Sequence, residues 1–307
     1  TLTRSRRILG EDHPDTILSS TQLGLALWSL GHYRQASMIQ NDTLTRSRRI
    51  LGEDHPTTLA SAHVLGMILW SLGEYRRARQ LQTDAFARSR RILGEDQFLT
   101  LHLASGLGLT LDSLGEHQLA RRRHHDAFTR GRRILGEDHP ITLRIASFVG
   151  LNLESSGKHR EAHYVQNDTF NRLRTVLGED HPYTLRSGSL LGLTLGSLGE
   201  QQQARRLQKD VLARYRRVLG TDHPETLISA SRLAADLRRS GEHRQARALD
   251  EDTLARSRRT LGDDHPDTLV VADNVATGRC APGGYHHARE ARCTQDCVRR
   301  TCIEARS

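Results

Sequence analysis

Apolar and small side chains recur along the chain with the three- and four-residue spacing of helices that bury one face. Residues 57–92 show this pattern twice. The first stripe is Leu59, Ala62, Leu65, Gly66, Leu69 and Leu72, and predicts a helix that we call helix A. The second stripe is Ala78, Leu81, Ala85, Phe86, Ser89, Ile92 and Leu93, and predicts a helix B. Gly73 and Gly94 follow the stripes, as expected of glycines that end helices, and the short turn makes the two helices antiparallel neighbours.

This two-helix pattern repeats every 42 residues without an insertion. Leu-Gly pairs mark the period and stand at residues 9–10, 51–52, 93–94, 135–136, 177–178, 219–220 and 261–262. A constant period predicts that each unit packs on its neighbours through the same surface, as in a solenoid. We expect an all-α array over 1–277, with a half unit at 1–9 and helix pairs starting near 15, 57, 99, 141, 183, 225 and 267, about seven units. Residues 278–307 are expected to form a degenerate last helix or a poorly ordered Cys/Arg-rich tail.

Two recurring signals set the limits and the contacts of helix A. Asp-His-Pro precedes it in six units, which favours a capping residue followed by a first-turn proline. Glycine recurs inside it at Gly24, Gly66, Gly108, Gly150 and Gly192. Because glycine inside a helix costs about 1 kcal/mol relative to alanine, its recurrence predicts a close crossing of helices A and B.

Short motifs within the unit resemble a known family. They are Leu-Gly-(x)2-Leu in helix A, Gly-x-Tyr-(x)2-Ala across the turn at Gly31–Ala36 and Gly73–Ala78, and Leu-Gly-Glu-Asp-His-Pro at the end. The chain resembles the 42-residue tetratricopeptide repeats of kinesin light chains and their bacterial, actinobacterial-like relatives. The resemblance implies a right-handed superhelical solenoid of antiparallel helix pairs that acts as a protein-interaction scaffold, as part of a larger bacterial regulatory protein.

The resemblance also implies a concave groove lined by helix A that binds a protein or peptide ligand. The corresponding positions here are Leu18, Leu25, Trp28, His63, Met67, Trp70, His102, Asp112, Arg144, Glu154, Arg186, Arg238 and Arg239. The Asn pair with which the family holds a peptide backbone is largely missing. Trp28 and Trp70 have two interpretations at this stage, as anchors for a partner or as covers for the neighbouring repeat.

The net charge of +9 raises the alternative of a basic solenoid that contacts nucleic acid or another polyanion. Arginine clusters recur near the end of helix B, for example at Arg88, Arg90 and Arg91. There they complement the helix dipole, and the first arginine follows an aspartate by four residues. Neighbouring clusters would lie about 16–20 Å apart, too far to follow phosphates spaced about 3.4 Å apart on one strand. A solvated structural face is therefore favoured over nucleic acid.

No residue set indicates catalysis or a cofactor. The histidines of Asp-His-Pro recur one per unit in cap loops, too far apart to share a metal ion. Cys293, Cys297 and Cys302 with His286 and His287 do not have the spacing of a zinc finger. We therefore expect a chain that is not an enzyme and has no cofactor or metal.

The cysteines and the lack of long apolar runs bear on location. All four cysteines lie after residue 279, so the array has no disulfide framework, and a reducing cytoplasm is the simplest location. No apolar run approaches the about 20 residues that span a bilayer, so a membrane partner is not expected.

The first residues align with the middle of a helix B, since Thr1 corresponds to Thr43. This predicts that the chain begins within a longer protein, for which the family resemblance suggests an upstream signalling ATPase. Apolar residues such as Leu2, Ile8 and Leu9 would be open at this edge, which predicts self-association through it.

Overall fold

The computed structural model describes residues 2–279, with side chains through residue 277, and all of its regular elements are helices. The Cys/Arg-rich segment from residue 280 onward lies outside the described residues. The helices A are α2 (Pro14–Ser29), α4 (Pro56–Ser71), α6 (Phe98–Ser113), α8 (Pro140–Ser155), α10 (Pro182–Ser197), α12 (Pro224–Arg239) and α14 (Pro266–Arg279). The helices B are α1 (Leu2–Leu9), α3 (Tyr33–Leu51), α5 (Tyr75–Ile92), α7 (His117–Leu135), α9 (His159–Leu177), α11 (Gln201–Val218) and α13 (His243–Thr260).

A histidine caps the start of six of the seven helices A. In α4, His55 Nδ1 accepts a hydrogen bond from the Thr57 amide at 3.2 Å, and Pro56 supplies the first helical residue. The same bond forms at His13, His139, His181, His223 and His265. The predicted capping role is therefore confirmed at all six. The exception is α6, where Gln97 makes no side-chain cap bond.

Glycine closes each of the six helices A from α2 to α12 and turns the chain into helix B within three residues. After α2, the Gly31 amide donates to Trp28 O and the His32 amide donates to Leu27 O at 2.9 Å, the bond pattern of a Schellman motif. Gly31 has a φ of 79°, which only glycine adopts without strain. The turn reverses the chain, so α2 and α3 pack as an antiparallel pair.

The chain divides into two compact units, residues 1–179 and residues from 180 onward. Within the first unit, the helices A pack side by side in the order α2, α4, α6, α8, and each also packs on its own helix B. A core that includes Leu59, Leu65, Phe86 and Leu107 joins successive pairs. Within the second unit, α10 packs on α12 and both contact α11. Each unit is thus a solenoid of antiparallel helix pairs, as the 42-residue period predicts.

The glycines inside helix A make room for a buried side chain of helix B. The sequence predicted instead that they allow a close crossing of the two helices. A Cβ on Gly66 would lie 2.6 Å from Cγ of Gln82, which is fully buried on α5. Gln166 and Gln208 occupy the same place over Gly150 and Gly192. Their side-chain amide nitrogens donate to the backbone oxygens of Ser147 and Ser189, at 3.0 Å and 2.9 Å.

Two predictions about exposed apolar residues have different outcomes. Ile92, predicted in the inner stripe of helix B, is 49% exposed, so that prediction is wrong. It is the last residue of α5, and the next residue, Leu93, packs against the core instead. Ile8 and Leu9 are 60% and 43% exposed, while self-association through them stays a prediction.

Candidate functional site

The helix A face of the first unit carries a row of apolar side chains that crosses from pair to pair. Trp28 Nε1 donates to Ser71 Oγ at 2.7 Å, and Trp70 Nε1 donates to Ser113 Oγ at 2.8 Å. Both indoles are half-buried, and they pack against a cluster formed by Met67, Leu109 and Phe148 of α4, α6 and α8. Each tryptophan therefore covers a neighbouring repeat and keeps part of its surface open to solvent.

Two leucines of the predicted groove lie on this row and are open to solvent. Leu18 is 48% exposed and Leu25 is 46% exposed, both on α2. Leu25 lies one helical turn before Trp28, so the two side chains share a face. This part of the helix A face therefore offers apolar surface that a partner can bury.

Further along the same face, three predicted residues form a polar cluster. The His63 and His102 rings meet edge to face with centroids 5.5 Å apart. Arg144 Nη2 donates to His102 Nδ1 at 3.2 Å. Since a guanidinium can only donate, His102 must carry its proton on Nε2. The half-exposed ring of Phe98 lies against the His102 ring, with the two ring centroids 4.4 Å apart.

Both histidines of this cluster are held in the neutral form. Burial, followed by the nearby Arg144 charge, lowers the pKa of His63 to about 3. The same two causes lower the pKa of His102 to about 2, with smaller contributions from His63 and His139. The cluster therefore presents one fixed cation beside two neutral rings at neutral pH.

The two predicted acids of the first unit are engaged in internal networks. Asp112 receives a hydrogen bond from Asn152 Nδ2 at 2.6 Å and contacts His117 Nδ1 and His124 Nε2, each at 3.2 Å. Glu154 contacts His159 Nδ1 at 3.0 Å. The carboxylates are nearly buried, so both mainly stabilise the turns that follow α6 and α8.

The remaining predicted residues, Arg186, Arg238 and Arg239, lie in the second unit, and each has an acidic partner. Arg186 is 3.6 Å from Glu225. Arg238 pairs with Asp250, and Arg239 donates to Asp236 at 2.7 Å. Burial raises the pKa of both aspartates to about 6.

The arginine clusters of helix B form a ladder of ion pairs between successive units. Arg88 bonds Asp84 one turn earlier at 2.9 Å and Asp54 of the preceding cap loop at 3.1 Å, and Arg91 also bonds Asp54. The first arginine of the cluster does the same at Arg46, Arg130, Arg172, Arg214 and Arg256. The intrahelical pair was predicted, whereas the link to the cap-loop aspartate was not. The constant spacing of 34 residues between that aspartate and the arginine is the sequence feature from which this link could have been predicted.

Two kinds of site were also sought in the described part of the chain. Between residues 2 and 279, no three or more His, Cys, Asp and Glu side chains come together in a way that could hold a metal ion. No helix there combines the length and the apolar character needed to cross a membrane.

The repeats match known sequence families. A tetratricopeptide repeat model matches residues 16–57, 58–98, 184–225 and 226–267, and a second tetratricopeptide repeat model matches residues 98–175. The chain belongs to the tetratricopeptide repeat family. No curated protein sequence matched it.

Solved structures of other proteins share the fold at low sequence identity. Nearly identical TPR-like repeats of a putative kinesin light chain from Podosopora anserina are 21% identical, with a TM-score of 0.52 over 67% of this chain and 97% of that one. A Rap protein complexed with the Competence and Sporulation Factor is 9% identical, with a TM-score of 0.62 over 94% of this chain and 92% of that one. NprR in complex with its cognate peptide NprX is 12% identical, with a TM-score of 0.64 over 90% and 78%. These likenesses show the fold.

Proposed function

We propose that this tetratricopeptide repeat chain is a non-enzymatic scaffold that binds a peptide or protein segment on the helix A face of its first unit. One observation carries the proposal: Leu18 and Leu25 are open to solvent on the same face as the fixed indoles of Trp28 and Trp70. Rigid aromatic rings beside exposed aliphatic side chains are typical anchors of interfaces. NprR, which has this fold, was solved with its cognate peptide.

Variation along the helix A face supports the same proposal. The position of Trp28 is occupied by Trp70, Asp112 and Glu154 in the next three pairs, whereas the packed leucines and glycines recur. A surface that changes from unit to unit distinguishes positions along a bound segment. We expect an apolar or aromatic segment near α2 and α4, followed by an acceptor group near Arg144.

The alternative of a polyanion partner is disfavoured by the charge ladder. The first arginine of these helix B clusters, for example Arg88, already bonds an aspartate of its own helix and one of the preceding cap loop. A phosphate backbone would have to replace these partners.

Selection of binding peptides from a displayed random library tests the proposal. We expect enrichment of segments with two or more apolar or aromatic residues. Leu18→Asp and Leu25→Asp should each weaken binding of a selected peptide about tenfold, since a carboxylate on this face opposes apolar burial. Binding should change little between 50 and 200 mM salt, unlike polyanion binding.

Met38→Asp is the matched control, because Met38 is also an exposed apolar residue, 75% exposed, but lies on helix B. It should leave the affinity unchanged. Equal loss of binding in all three variants, or no enrichment of any peptide, would overturn the proposal.

A further inference from the structure

The residue immediately before helix B changes its charge in one helix pair. In four of the six complete pairs this residue is a glutamate, namely Glu74, Glu116, Glu200 and Glu242. The first pair has His32 there, and the pair that ends with α9 has Lys158. An ammonium group therefore stands where most units carry a carboxylate.

Two of these glutamates form ion pairs with the preceding helix B. Arg79 on α5 bonds Glu116, and Arg205 on α11 bonds Glu242, each across 37 residues. Arg121 on α7 has the same place in its unit as Arg79, and the residue 37 positions later is Lys158. The repeat therefore brings two cations to a place where it elsewhere joins a cation to an anion, and like charges repel each other.

The outer face of α7 carries two more basic side chains beside Arg121. Arg122 and His125 are exposed on it, as Arg121 is. Among the described residues, none of these three side chains has a carboxylate within ion-pair distance. They line an open groove of about 550 Å³ that follows the helix. Asp126 lines the groove as well, but its carboxylate bonds Arg130 at 2.9 Å.

The second unit contains a counterpart of this face in which the acid is present. At the places of Arg121, Arg122 and His125, α11 carries Arg205, Arg206 and Lys209. There Glu242 is the ion-pair partner of Arg205. The basic side chains thus occur in both units, whereas the acid is replaced by a cation in the first unit.

We propose that the outer face of α7 binds an acidic segment of a partner protein. One carboxylate of the segment would lie between Arg121 and Lys158, where other units hold a glutamate of their own. Guanidinium groups suit carboxylates because two parallel hydrogen bonds can form. A second carboxylate of the segment would reach Arg122 or His125. Lys158 also contacts Glu161 at 3.1 Å, in an exposed pair that an incoming carboxylate can join or replace.

The neighbouring helices favour a short acidic segment over a nucleic acid. The places of Arg122 and His125 are taken by Gln80 and Thr83 on α5 and by Tyr164 and Asn167 on α9. The basic face therefore does not continue from helix to helix, as the backbone of a nucleic acid requires. It lies on helix B, so the inference does not rest on the helix A face.

Titration of the complete chain with a fluorescently labelled polyglutamate peptide, followed by anisotropy, tests the site. We expect saturable binding that weakens as the salt concentration rises, because exposed charges are screened. Lys158→Glu returns the acid of the other units and should weaken binding about tenfold. Arg121→Ser introduces the residue that α3 has at this place, Ser37, and should weaken binding by a similar factor.

The matched control is Arg205→Ser, which makes the same change at the same place of the second unit, where Glu242 already holds the arginine. It should leave the affinity for the peptide unchanged, whereas Glu242→Lys should create a second binding site. Leu25→Asp on the helix A face should also leave the affinity unchanged, so that failure of one proposal is distinguished from failure of the other. Equal weakening in Arg121→Ser and Arg205→Ser, no saturable binding, or equally tight binding of an oligothymidylate would overturn the inference.

Discussion

Gly131 removes a buried hydrogen bond that other units make. Ser47 and Ser89 bond the hydroxyls of Thr58 and Thr100, each at 2.7 Å. Thr142 Oγ1 is buried and has no hydrogen-bond partner among the described residues, and a Cβ on Gly131 would lie 3.3 Å from it.

Gly131→Ser should therefore stabilise the protein by about 1–2 kcal/mol, from the helical preference of a non-glycine residue and one buried hydrogen bond. Urea unfolding measures the change. Gly131→Ala is the control and should gain only the helical part, about 0.5–1 kcal/mol. A destabilised Gly131→Ser variant would show that the 3.3 Å approach cannot relax.

The neutral histidines of the helix A face predict a loss of stability in acid. The pKa of His63 is lowered to about 3 and that of His102 to about 2 in the folded protein. As the pH falls below about 6.5, these histidines are therefore protonated in the unfolded chain but not in the folded one, which favours unfolding. Their contribution to the free energy of unfolding is complete above about pH 6.5 and decreases as the pH falls towards the lowered pKa values. The melting temperature should drop between pH 7.5 and 5.

A double variant isolates these two side chains. His63→Ser with His102→Leu uses residues found at the same positions of other units and should reduce the drop, whereas His125→Ser, at an exposed site, should not. An unchanged drop in the double variant would contradict the assignment.

At the scale of the element, proline and glycine indicated the helix limits: Pro56 begins α4, and Gly73 follows its last residue, Ser71, after one residue. The buried glutamines could not be predicted, since an apolar stripe gives no sign that Gln82 lies inside it over Gly66. The groove residues were predicted from their places in the repeat, whereas the partners of these side chains depend on side-chain direction. Asp112 and Glu154 engage internal histidines, and Trp28 bonds the next unit.

The histidine caps lead to a prediction at this scale. His55→Ala removes a hydrogen bond to the first turn of α4 and should cost about 1 kcal/mol. Gln97→Ala at the start of α6 is the control and should cost almost nothing, because Gln97 makes no cap bond. Chemical unfolding of both variants measures the difference. Equal costs would mean that the histidine acts through something other than its cap bond.

At the scale of the whole molecule, each helix pair should be stabilised mainly by the pairs that it packs against. Leu107 is 3% exposed in the core of the first unit, and Leu107→Ala should cost about 2–5 kcal/mol. In a solenoid, amide protection should fall most in α6 and its neighbours and least far from them within that unit. Hydrogen exchange measures this gradient. A uniform loss across the first unit would contradict nearest-neighbour coupling.

Photo-crosslinking of a selected peptide tests the central claim, that the helix A face of the first unit is the binding surface. The peptide carries a benzophenone at one end, and mass spectrometry locates the attachment. We predict labels on α2 and α4 near Leu18, Leu25 and Trp70, reduced by excess unlabelled peptide. Labels concentrated on α3 around Met38, or spread evenly over both faces, would contradict the account.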